Sequence, residues 1–258
     1  MDTGAVKYVA SCSFGKDSLA TVLLALMHNE PLDEVVYCEV MFDDDISGEV
    51  PEHRDFIYRH AIPFLERNGI KVVLLRSEMT FLESFYRVLK KGRSAGKINS
   101  WPLCGKCCIQ RDCKLPPINA YMRSLGSGVI QYIGIAQDEP ERLMRLESGK
   151  AISLLAKFKK TERDAADICR RVGLYSPAYA FTDRNGCFFC PNAGNRELRH
   201  LYDNHPDLWA RLLECQRAPN KATELFNRNE RFDEIDQRFR FEDAQFSLFR
   251  GWPPCAAA

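Results

Sequence analysis

The sequence predicts an open, mostly parallel twisted sheet with helices on both faces. Short β-branched and aromatic runs alternate with longer helical patterns, the order that builds parallel crossover units. The first strand-to-helix turn, Tyr8-Val9-Ala10-Ser11-Cys12-Ser13-Phe14-Gly15-Lys16-Asp17-Ser18, is rich in small hydroxyl residues and holds one glycine, one lysine and one aspartate. A length of 258 residues with 45% hydrophobic content suffices for a buried core.

In order, an apolar run from Val6 enters that turn, and Leu19 to Met27 leaves it as a helix. Glu34 to Phe42 is β-branched and aromatic, a second strand, with Asp43-Asp44-Asp45 at its C-terminal end. That end is where open parallel sheets bind ligands, so Asp45 is a candidate ligand residue and a solvated turn is the alternative. Pro51 to Asn68 reads as helix, with Pro63 kinking or splitting it. Lys71 to Arg76 is a third strand and Phe81 to Leu89 a short helix. From Lys90 to Lys106 five Lys and Arg residues surround Gly92, Gly96 and Trp101, a flexible basic loop suited to a lid, a nucleic-acid contact or plain solvation. Val129 to Ile135 is a fourth strand, running into Gly134 to Arg142. Thr161 caps a helix to Val172, with Asp164 at its third position. Glu197 to Cys215 is helical and interrupted before Pro206. The polar, aromatic stretch from Asn220 to Arg250 wraps the sheet or mediates a subunit contact, including that of a homodimer. The expected domains are 1–190, a nucleotide-binding α/β unit with the cysteines; 191–250, a helical extension; and 251–258, a loose tail.

The net charge of +1 gives no global attraction to nucleic acid or membrane. No apolar stretch reaches the roughly 18 residues of a membrane span. No signal-peptide pattern opens the chain, so a cytoplasmic location is expected. Eleven cysteines in a reducing compartment suggest metal or redox chemistry rather than disulfides.

Each residue type in the first turn suits an anion. Gly15 lets backbone come close, and the following helix aims its free N–H groups and positive dipole end at the loop. Ser11, Ser13 and Ser18 donate to phosphate oxygens, and Lys16 supplies charge. Asp17 caps the helix or holds a magnesium ion. The Walker spacing is absent.

Ser13-Phe14-Gly15-Lys16-Asp17-Ser18 resembles the S-G-G-x-D-S fingerprint of the PP-loop adenine nucleotide alpha-hydrolases, with Phe14 in place of the first glycine. Phe at that place is similar to the phosphoadenosine phosphosulfate (PAPS) reductase branch, whereas Asp17-Ser18 is kept as in the ATP-splitting members. Ser47 to Glu52 resembles the T-G-x-E-F-P-E segment of sulfonucleotide reductases. Gly134, Glu139 and Arg142 fit the family's G-x-R-x-x-E plus arginine, but Ala136 stands where the arginine is expected. The resemblance implies a PP-loop, Rossmann-like fold. It also implies that Phe14 and the rest of the loop, with Gly134, Glu139 and Arg142, contact the nucleotide.

Cys104-x-x-Cys107-Cys108 and, far downstream, Cys187-x-x-Cys190 form a four-thiolate signal, because each C-x-x-C brings two sulfurs to one metal. A zinc site takes Cys104, Cys107, Cys187 and Cys190. A [4Fe-4S] site takes Cys107, Cys108, Cys187 and Cys190, the pairing that resembles adenylylsulfate reductases and the one preferred.

Two enzyme readings follow from the resemblance. In the first, Lys16, Asp17 and Ser18 with magnesium stabilise the pyrophosphate of ATP while an acceptor is adenylated for sulfur transfer. The acceptor is a tRNA, a nucleobase or DNA, and the sulfur comes from a donor protein. In the second, the chain reduces adenylylsulfate or its 3′-phosphorylated form, with Cys215 or Cys255 as nucleophile. The first is preferred, because neither cysteine has a neighbour that lowers its pKa. A non-catalytic nucleotide or cluster sensor is the remaining class.

Overall fold

The computed structural model describes residues 6–102, 107–126, 128–146, 149–184 and 186–250, with side chains described up to 245. Cys104 and the tail 251–258, Cys255 included, lie outside the described residues. The chain forms two compact units. The first comprises 1–83 and 108–188, the second 84–107 and 189–258.

The first unit is a parallel sheet of five strands: β1 (Lys7–Ser11), β2 (Glu34–Glu39), β3 (Lys71–Arg76), β4 (Val129–Ile133) and β5 (Ala151–Ile152). Their order is β3-β2-β1-β4-β5, and every neighbouring pair is parallel. From β1 the chain steps outward through β2 to β3, then returns to the far side of β1 for β4 and β5. Right-handed crossovers then place the connecting helices on opposite faces. All six residues of β2 are buried, as a doubly covered strand requires.

Between β1 and β2 lies α1 (Lys16–Met27). Its residues Leu19 to Ala25 are buried against α7 (Leu154–Lys157) and α8 (Glu162–Arg171). The helical stretch from Pro51 is not one α-helix. It runs as α2 (Pro51–Phe56), a π-turn at Ile57–Ala61, and α3 (Ile62–Arg67). The cause is Pro63, which lacks an N–H and clashes with the carbonyl four residues back, so the preceding turn widens. The same occurs at Gln110–Lys114, a π-turn just before Pro116-Pro117 of α5 (Leu115–Ser124). The Phe81 helix is shorter than expected, α4 (Phe81–Tyr86), and α6 (Pro140–Leu143) follows β4.

In the second unit, α9 (Asn195–Asn204) and α10 (Pro206–Arg217) part at His205, as Pro206 requires, and α11 (Phe232–Arg250) follows. The unit's core is aromatic. Trp101 is 2% exposed and packs edge-on against Phe85 and Phe226 at 5.1 and 4.9 Å, and Trp209 lies 4.4 Å from Phe232. Trp101 donates Nε1–H to Gln216 at 2.9 Å, so it is a core residue and is not offered to a nucleobase. These contacts explain why 84–107 belongs with the C-terminal helices, whereas the sequence grouped it with the sheet.

Candidate active site

The strand order reverses between β1 and β4. In open sheets that switch point opens a crevice outside the C-terminal strand ends. The loop Cys12–Gly15 leaves β1 at this point, and the segment from Gly134 leaves β4 beside it. A Cβ on Gly134 would sit 2.6 Å from Ser18 N and Cα. Only glycine permits this approach of the two chain segments.

Ser18 organises the loop. Its Oγ accepts from Ser13 N–H at 3.2 Å and donates to the Gly15 carbonyl at 3.1 Å. The Cys12 thiol points to it at 3.6 Å and itself accepts from Phe14 N–H at 3.3 Å. Phe14 has φ 58, the left-handed region, and its ring is buried edge-on against Tyr37 at 5.4 Å. Gly15 has an ordinary φ of −68 and caps α1 without a side-chain hydrogen bond. Gly15 thus gives the first-turn N–H groups no cap of its own, and the side chain that reaches them, Tyr179 on Lys16 N–H, comes from far along the chain.

His53 braces the loop from behind. It is 1% exposed, with Nδ1 3.0 Å from Ser176 Oγ and Nε2 3.1 Å from the Ser13 carbonyl. A carbonyl only accepts, so Nε2 carries the proton and Nδ1 accepts from Ser176. Burial holds the His53 pKa below its ordinary value, in keeping with this neutral ring.

Around Lys16 lies a polar cleft of about 600 Å³, lined also by Ser13, Gly15, Asp17, Ser18, Gly134, Glu139, Arg142, Glu162, Tyr179, Asp183 and Arg184. The Lys16 ammonium sits 2.9 Å from Asp17 and 2.6 Å from Glu162. Burial opposes its charge, but these two carboxylates more than restore it, and its pKa is raised. Asp17 is raised too, first by burial, with Glu162 and Glu139 adding repulsion against the attraction of Lys16. Arg142 pairs with Glu139, whose other oxygen accepts from Ala136 N–H at 3.0 Å. Tyr179 accepts from Lys16 N–H at 2.8 Å.

A second, mainly apolar cavity of about 330 Å³ shares Ser13, Ser18 and Gly134 with the first. Val36, Leu115, Ile118 and Ile133 line it, with Ser11, Gln131 and Lys114 as polar members. Gln131 Nε2 donates to Ser11 Oγ.

Of the residues singled out from sequence, Ser11, Ser13, Gly15, Lys16, Asp17, Ser18, Gly134, Glu139 and Arg142 line these two cavities, and Phe14 lies beneath the loop. Asp45 does not join them. It is exposed on a turn in which Asp43 Oδ1 accepts from Asp45 and Ile46 N–H at 3.1 and 2.7 Å, the solvated alternative. Glu162, Tyr179, Asp183 and Arg184 were missed. Thr161 and Asp164 reciprocally cap α8, a readable signal, but nothing local says that the adjoining Glu162 reaches Lys16.

The cysteines divide between the units: Cys108 and Cys187 in the first, Cys107 and Cys190 in the second. Cys107 is exposed and Cys108, Cys187 and Cys190 are half-buried, so none of the four is sealed in a core. Cys187 bridges backbone to Glu49, and the Cys190 carbonyl accepts from Ala193 N–H at 2.9 Å. Cys113 is different. It is buried in the sheet unit, with its thiol 3.8 Å from the Thr80 carbonyl. Cys215 is buried on α10, and burial pushes its thiol up to about 12.

Fold and loop together define a doubly wound α/β chain with a polar cleft at the N-terminus of α1. No protein-family model matches the chain, and no curated protein matches it. Among solved structures it is similar to the U34-tRNA thiolase NcsA from Methanococcus maripaludis with its [4Fe-4S] cluster. The identity is 18% and the TM-score 0.40, over 81% of this chain and 72% of that one. So distant a likeness carries no function across. No helix among the described residues is long and apolar enough to cross a membrane.

Proposed function

We propose that the chain is a PP-loop enzyme that binds ATP, splits it to AMP and pyrophosphate, and adenylates a nucleic-acid or nucleobase acceptor for sulfur transfer. The observation that carries this reading is the loop itself. Ser13, Lys16, Asp17 and Ser18 converge with Gly134 on one polar cleft at the N-terminus of α1. The triphosphate takes the polar cleft and the adenine ring the adjoining apolar cavity. Lys16, Arg142 and Arg184 offset the charge that grows on the departing pyrophosphate. The carboxylates Asp17, Glu139 and Glu162 suit Mg²⁺, a hard cation held by few carboxylates plus substrate phosphates. Bound there, magnesium would screen the phosphate oxygens. Ligand binding frees Lys16 from its two carboxylate partners to turn toward phosphate.

Cys107, Cys108, Cys187 and Cys190 hold a [4Fe-4S] cluster in this proposal, or Zn²⁺ with Cys104 in place of Cys108. The warrant is their spacing and their partial exposure. The reductase alternative needs a reactive thiolate, and a buried Cys215 at about 12 does not supply one.

The test is a thermal-shift titration of anaerobically purified chain with ATP and magnesium, adenylylsulfate, or its 3′-phosphorylated form. ATP at a hundred times its Kd should add about 2.7 kcal/mol of stability. Lys16→Met should abolish that response and cut pyrophosphate release by about 10²-fold. A response confined to the sulfonucleotides would overturn the reading.

A further inference from the structure

The nine residues from Leu89 to Lys97 form a closed turn in the second unit. Leu89 N–H donates to the Lys97 carbonyl at 2.9 Å, and Gly96 N–H to the Leu89 carbonyl at 2.8 Å. Val88 and Ile98 bridge antiparallel at its base, and Ile98 bridges in turn to Lys221. Asn220 Nδ2 donates to the Gly96 carbonyl at 2.9 Å, pinning the turn from outside. Gly92 and Gly96 both have φ +83, the left-handed backbone that lets the turn close. The segment is therefore a fixed hairpin, where sequence alone suggested a flexible loop.

Its charge is one-sided. Lys90, Lys91, Arg93 and Lys97 are all exposed on it, and no carboxylate among the described residues pairs with any of them. From Ser84 to Arg111 the sequence has no acidic residue, in a chain whose total charge is only +1. Surface cations in this chain commonly sit against acids, as Arg199 does with Asp203 and Asp243 and Arg238 with Glu230. A rigid, unneutralised group of four cations repels itself. It is stabilised by a partner that brings closely spaced negative charge, and a phosphodiester backbone does so.

We propose that this hairpin is the phosphate-backbone docking surface for an RNA acceptor. The assignment rests on the adenylating reading above. RNA is favoured over duplex DNA because adenylation needs a base edge out of the stack. Single-stranded RNA loops present such edges, whereas duplex DNA must first be unstacked at a cost of a few kcal/mol. The hairpin carries no aromatic residue, so it contacts backbone and reads no sequence.

The test is fluorescence anisotropy with labelled bulk tRNA and the full chain across a salt series. Changing Lys90, Lys91, Arg93 and Lys97 together to Gln should weaken binding by about 10-fold or more at low salt. It should also flatten the log–log salt slope by about 3. The melting temperature and the ATP response should stay as in the unsubstituted chain. The pairs Lys90→Gln with Lys91→Gln, and Arg93→Gln with Lys97→Gln, should each give part of the loss, which covers a quadruple variant that misfolds. A charge-matched control changes the exposed Lys159, Arg171, Arg217 and Arg228 to Gln and should bind as the unsubstituted chain does. Three results would overturn the proposal: no RNA binding, equal loss in the control, or tighter hairpin-dependent binding to duplex DNA or phosphatidylserine vesicles. If ATP gives no thermal shift while the hairpin variants still lose RNA, the adenylating reading fails and the RNA surface stands.

Discussion

At position 14 the loop places a phenylalanine where backbone geometry asks for glycine. A left-handed φ of 58 costs a non-glycine residue about 1–2 kcal/mol. Burying the ring against Tyr37 contributes about 1.5–3 kcal/mol, which offsets the strain. The S-G-G fingerprint hid this exchange, because a motif records residue types and not dihedral angles. Gly134 is the opposite case, a glycine held by crowding. Its missing Cβ would meet Ser18 backbone at 2.6 Å, and backbone cannot rotate aside as a side chain can. Gly134→Ala should cost about 1–3 kcal/mol and displace the start of α1. Thermal melts with and without ATP measure this. The expected outcome is a lower melting point together with a weakened ATP response, and a variant that melts and responds normally would remove Gly134 from the loop's support.

Elements were legible wherever the chain repeats a local rule. The four longer strands are β-branched runs, and β5, with two residues, has no period to read. The prolines warned of breaks but not of their form, since a π-turn is chosen by how the widened turn packs. The basic hairpin and Trp101 needed long-range pairings, to Asn220 and Gln216, that no local pattern encodes. The cleft shows the same division. Its loop half was readable from one contiguous stretch, while Glu162 and Tyr179 arrive from 146 and 163 residues away. The cap of α8 connects the two scales. Thr161 Oγ1 accepts from Asp164 N–H at 3.2 Å and fixes where the helix begins, hence where Glu162 projects. Thr161→Ala should destabilise the chain by about 1 kcal/mol. It should also loosen the Lys16–Glu162 pair, so ATP affinity should change more than it does in Ser153→Ala, which removes the cap of α7. Denaturant melts and ATP titrations of the two variants separate these effects, and identical ATP responses would mean that Glu162 is placed by something other than the cap.

The whole molecule carries its acid sensitivity in buried groups around the sheet. His53 faces the Glu49 charge, which raises its pKa, and Lys114, which lowers it, yet burial dominates and the folded value lies below the ordinary 6.5. The unfolded chain therefore binds the proton more readily than the folded one. The His53 contribution is fully present above pH 6.5 and is lost as pH falls toward the folded value. Glu39 adds to the same trend at lower pH. Burial alone would raise it, but hydrogen bonds from Ser47, Tyr58 and Arg76 outweigh that and hold it below 4.5, so its contribution fades as pH falls through the acid range. Melting temperatures should hold between pH 7.5 and about 6.5 and fall from there toward pH 5.5. Gln at position 53 can donate to the Ser13 carbonyl and accept from Ser176 as the neutral ring does, and it has no proton to take up. His53→Gln should therefore flatten the curve between pH 7.5 and 5.5 while leaving the Glu39-dependent loss below pH 4.5 in place. An unchanged slope in His53→Gln would show that the brace behind the loop is not where protons first enter the fold.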